Sequence, residues 1–233
     1  MHVAKAAGSS VNKMIASHYS PSEIITHFEN FPLEKNNELQ SKKFISGHPF
    51  FHIAKRRLPN INNYYKVSVF RNPIDHVISH IAWIRKLAEP ENHLQFKAHA
   101  IHFQKMSIRL KNMDLSSSSE LVNFTQNLNK YERVTFDNFQ TRYISNKLPE
   151  NIIESDYRDI RLILNEFDLI GTTEYLDVFF KKLCSAMRWP SPETIATENT
   201  ANNYYGLDPK DSSHFEALRP LIKHDLRLYD LVC

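Results

Sequence analysis

Lys5-Ala6-Ala7-Gly8-Ser9-Ser10 puts a lysine ahead of five small residues. Val11, Met14, Ile15 and Tyr19 follow at helical spacing. Small side chains let backbone N–H groups approach an anion, and the start of a helix adds a favourable dipole. The chemistry implied is a grip on a phosphate or sulfate group, with Lys5 supplying positive charge. A Walker loop carries its lysine after the glycines, and no such pattern occurs in this chain. An ordinary strand-to-helix turn with a surface lysine fits the same residues.

The second constellation is Val67-Ser68-Val69-Phe70-Arg71-Asn72-Pro73, with Ser79 beyond it. Arg71 would cap a buried strand, and its planar fork suits a two-point hold on phosphate. Ser79, two turns into the next helix, would add a hydroxyl donor. An arginine before Asn-Pro is also a commonplace of strand ends. His48 follows Gly47 at the end of another apolar stretch. With an unperturbed pKa of ~6.5, it suits general-base work near neutrality. His48 and His52 are spaced i, i+4, but Pro49 puts His48 at a helix cap, off the face that carries His52. His76 and His80 share that spacing and read as a solvated or interface face. No metal-ligand cluster is legible, and no metal is expected.

These residues need elements to hold them. The chain reads as a strand end at residues 1–4 and a helix from Val11 to Tyr19. A strand at Lys43 to Ser46 and a helix from Pro49 to about Arg57 follow. Next come a strand at Tyr64 to Phe70 and a helix with the stripe Ile74, Val77, Ile78, Ile81, Ile84, Leu87. Residues 89–115 read as a helical or looped insertion, part of a substrate-side subregion at 89–130. Ser117 to Glu120 reads as a capping box or a serine linker. Residues 156–166 are helical, Phe167 to Gly171 a strand, Tyr175 to Trp189 an amphipathic helix, and Ser212 to Tyr229 a last helix. Alternation of this kind predicts an α/β fold: a P-loop-like three-layer sandwich, its mostly parallel central sheet flanked by helices. Ligands of such sheets sit at the carboxyl ends of the strands, where residues 5–10, 47–48 and 71–72 all fall.

The bulk numbers bound the rest. With 233 residues the expectation is one domain, 1–233. A net charge of +3 is too small to argue for nucleic acid. The two cysteines, Cys184 and Cys233, imply no disulfide framework. No run of about 18 apolar residues exists to span a membrane, and no signal-peptide core is seen, so a cytoplasmic location is expected.

Taken together the motifs resemble the PAPS-dependent sulfotransferases, in particular the carbohydrate branch with the heparan sulfate 2-O-sulfotransferases and their bacterial relatives. The likeness rests on His2 to Ser10, Gly47-His48, Phe70 to Pro73, Ser79-His80, Asp137 to Arg142, Phe167 to Glu174 and Glu198-Asn199-Thr200, in that order. Ala4 departs from the family's usual proline, and the Asn199 to Tyr205 loop lacks its basic residue. The resemblance implies a sulfotransferase that moves a sulfuryl group from 3′-phosphoadenosine 5′-phosphosulfate (PAPS) to an acceptor hydroxyl, the partner being an acceptor glycan or another hydroxyl-bearing substrate. Lys5 and the N–H groups of Ala7, Gly8, Ser9 and Ser10 would hold the phosphosulfate, and Lys5 would neutralise the leaving phosphate. Arg71 and Ser79 would hold the 3′-phosphate, and Asn199 and Thr200 would close over the cofactor. His48 would act as base, and Gln140 and Arg142 would contact substrate. A P-loop nucleotide kinase, or a binding module without chemistry, are the competing readings.

Overall fold

A computed structural model describes residues 2–58, 60–145, 152, 156–190 and 204–233. The chain divides into two compact units. The first comprises Met1–Asn72, Gln140–Thr200 and Leu228–Cys233, the second Pro73–Phe139 and Ala201–Arg227.

The first unit holds all the strands found among the described residues. Strand β1 (Ile24–Ile25) pairs in parallel with β2 (Phe44–Ile45), and β3 (Val67–Phe70) pairs in parallel with β4 (Leu169–Thr172). In the longer pair Val67 faces Leu169 and Phe70 faces Thr172. Its entry is fixed by Asp168, whose carboxylate accepts from the Lys66 N–H at 2.6 Å. Helix α1 (Gly8–Ala16) buries Val11 and Ile15, one turn apart, on a face shared with Phe44, Val69 and the Leu176, Phe179, Phe180 and Leu183 side chains. A second cluster gathers Ile25, Phe28, Leu39 and Ile61 around α2 (Phe51–Arg57).

The second unit is helical: α3 (Pro73–Lys86), α4 (His93–Ala98), α5 (Ile101–Lys111), α6 (Ser118–Gln126) and α7 (Lys130–Phe136). The stripe read on α3 becomes one side of its core, with Ile78, Ile81 and Ile84 fully buried. Ser117 does cap α6, accepting from the Glu120 N–H at 3.4 Å. The chain continues through α8 (Phe139–Ile144), α9 (Asp156–Leu164), α10 (Leu176–Met187) and α11 (Ser212–Val232). No helix among the described residues is long and apolar enough to cross a membrane.

The three-layer sandwich expected from the sequence is overturned. Among the described residues the sheets have two strands each, and helix dominates. The reason is local. Residues 2–4 form no strand, and their recorded backbone bond to β2's exit is His2 N–H to Gly47 C=O at 3.2 Å. Positive φ angles at Lys5 (67°) and Ala7 (55°) then turn the chain out of extended geometry. With strands of two to four residues, ladders end before a third strand joins.

Candidate functional site

Arg71 leaves β3 with its backbone held on both sides. Its N–H donates to Gln140 Oε1 at 2.9 Å, and its C=O accepts from Gln140 Nε2 at 2.8 Å. One residue on, the Asn72 N–H donates to Glu174 Oε1 at 3.0 Å. Glu174 in turn accepts from the Tyr229 hydroxyl at 2.8 Å and the Thr173 hydroxyl at 2.9 Å. Burial works to raise the Glu174 pKa, but these donors outweigh it and hold the carboxyl below its ordinary value. So anchored, the Arg71 side chain reaches the first loop and donates from Nη1 to the Lys5 C=O at 3.2 Å.

That loop is a left-handed turn at Lys5 and again at Ala7, opening directly into α1. Successive backbone N–H groups in such turns form an anion-binding concavity, and the first-turn N–H groups of a helix lack acceptors within it. Gly8 is required by packing: a Cβ there would overlap the His2 imidazole. His2 is only 6% exposed, and burial, followed by the neighbouring His48, lowers its pKa to about 2, so the ring is neutral. Its ring lies edge-on to His48 with centroids 4.2 Å apart.

His48 is partly buried. Its Nδ1 lies 3.2 Å from the His2 C=O, which can only accept, so Nδ1 carries the proton and Nε2 keeps a lone pair. Burial lowers its pKa, with Glu29 opposing. The His48 N–H donates to Glu29 Oε2 at 2.8 Å.

No family model, curated protein or solved structure matches this chain.

The resemblance to the sulfotransferases is therefore overturned, and with it the sulfotransferase activity and the kinase alternative. Both chemistries were expected on a broad central sheet, which the described residues do not build. The motifs that carried the likeness are short. A small-residue turn before a helix and an Arg-Asn-Pro strand exit solve local problems that arise in unrelated folds.

Of the residues singled out in the sequence, Lys5, Ala7, Gly8, Arg71 and Gln140 come together, with His48 joined to them through His2. Ser9 is exposed and Ser10 buried in the same first turn. Arg142 is 1% exposed in the interior of the first unit. Ser79 is buried on α3 of the second unit. Asn199 and Thr200 lie outside the described residues. His76 and His80 are 1% and 4% exposed rather than solvated, ringed by Phe136 and Phe139.

Sequence reasoning missed three things. Gln140 and Glu174 act on backbone far away in sequence, which no local spacing announces. His27 and Glu29, beside His48, belong to a turn the sequence did not mark. A cleft of about 540 Å³ opens where β2 and β3 begin, between Tyr19, Phe44, Tyr64 and Trp189. Its lysines are engaged: Lys43 with Glu23 at 2.6 Å, Lys42 with the Ser22 C=O at 2.8 Å, Lys66 with Asp168 at 3.6 Å.

Proposed function

We propose that the first unit is a receptor for a small molecule carrying a phosphate or sulfate group, held between the Lys5–Ser10 turn and Arg71. The observation that supports this reading is the 3.2 Å hydrogen bond from the Arg71 guanidinium to the Lys5 carbonyl. It draws a second cationic side chain to a turn whose left-handed residues and helix start already favour an anion. The guanidinium has five N–H donors in a planar fork, so the bond to Lys5 leaves it donors for an oxyanion. The Gln140 clamp fixes the backbone from which the fork extends.

The proposal is one of binding alone, to a single phosphate or sulfate group. Titration calorimetry with adenosine 3′,5′-bisphosphate, adenosine 5′-phosphate, inorganic phosphate and sulfate tests it. Binding should weaken as salt is raised, because partly exposed charge contributes. Arg71→Ala should weaken the best of these ligands by roughly 10–100-fold, the loss of one charge-assisted hydrogen-bonded contact. Lys5→Ala should weaken it by up to about tenfold. Heat signals absent for all four at millimolar concentration, or unchanged by Arg71→Ala, refute the reading.

A further inference from the structure

Where β1 and β2 end side by side, the chain turns twice. After β1 it passes through His27 in the left-handed region (φ 53°) and into a short turn, Phe28–Asn30. After β2 it runs through Ser46 and Gly47 to His48. The Phe28 N–H donates to the Ser46 C=O at 3.0 Å and ties the two exits together. The result is that His27, Glu29 and His48 present ligand atoms within 4.8 Å of one another. We propose that these three side chains bind a divalent transition-metal ion, with zinc the ion their chemistry fits best.

Two imidazoles and one carboxylate are a donor set used by zinc and by other first-row ions, leaving positions open for water or a ligand. The surroundings are those of a prepared site. His48 donates its Nδ1–H to the His2 carbonyl, which fixes the tautomer and leaves the Nε2 lone pair available, as the outer partners of metal-bound histidines do. Glu29 is oriented from two sides, by the His48 N–H at 2.8 Å and by His27 Nδ1 at 3.2 Å. Gly47 makes room for it: a Cβ there would overlap the Glu29 carboxylate and lie 2.7 Å from the Phe28 nitrogen. Tetrahedral zinc needs ligand atoms roughly 3.3 Å apart, given bonds of about 2.0 Å. The His27 side chain is 67% exposed, and exchanging its 3.2 Å contact with Glu29 for the metal would close the difference.

The test uses the full chain, freed of metal by chelator and titrated with Zn²⁺ alone, without any anionic ligand. One equivalent should bind and raise the thermal midpoint. Glu29→Gln, which keeps the size of the side chain, should lower Zn²⁺ affinity by about 10²-fold or more and abolish the thermal shift, as should His48→Ala. His102→Ala, a histidine of the second unit, should change neither. Arg71→Ala should leave Zn²⁺ binding intact, so this site stands or falls apart from the anion receptor. Zn²⁺ uptake that is absent, or the same in the wild type and Glu29→Gln, overturns the proposal.

Discussion

Gln140 and Arg71 lie 69 positions apart and share two hydrogen bonds. Gln140 is 1% exposed, and truncation would leave the part-buried Arg71 N–H and C=O without these partners. Gln140→Ala should destabilise the protein by about 2–3 kcal/mol in chemical denaturation. It should also weaken anion binding, because Arg71 loses its anchor. The chemical residues themselves were legible in the sequence: lysine, small residues and arginine at apolar-segment ends announce an anion. What holds them was not. A clamp formed between distant segments carries no periodicity and no motif, and Gln140 was read as a ligand contact when both of its amide atoms face Arg71.

At the scale of elements, the exit of β3 is fixed by Glu174, which stands just after the paired strand β4. Its pKa is depressed in the folded protein, so its ionised form favours folding. That contribution is present above the unfolded carboxylate range and is lost as pH falls through the lower folded value. Glu174→Gln should therefore flatten the acid limb of a stability-against-pH curve, measured by urea denaturation between pH 7 and 3. The change should be modest, since the residue is exposed and solvent screens it. Helices were the most legible elements, because stripes such as Ile74, Val77, Ile78 and Ile81 mark a buried face directly. The strands are shorter than their apolar runs. Apolar β-branched runs mark burial as well as pairing, and Tyr64 to Lys66 is drawn out by neighbouring turns, so only the last four residues of that run, Val67–Phe70, pair.

At the scale of the molecule, the broad layered sheet expected from the sequence is absent among the described residues, and the chain forms two compact units with core clusters of their own. Alternating strand and helix signals cannot tell a continuous sheet from isolated pairs, since pairing partners are chosen by packing far along the chain. The second unit's core depends on Leu218, which is completely buried among α3, α5 and α6 side chains. Leu218→Ala should cost about 2–5 kcal/mol, read from the urea midpoint, as cavities of that size do. The layout of the chain has a further consequence. The second unit draws on Pro73–Phe139 and Ala201–Arg227, with a long stretch of the first unit in between. A nascent chain that has emerged only as far as residue 200 still lacks Leu207, Leu218, Leu221 and Ile222, so its helical half leaves the ribosome with an open apolar face. Synthesis from one end to the other thus completes the core of the helical half only with its last segment.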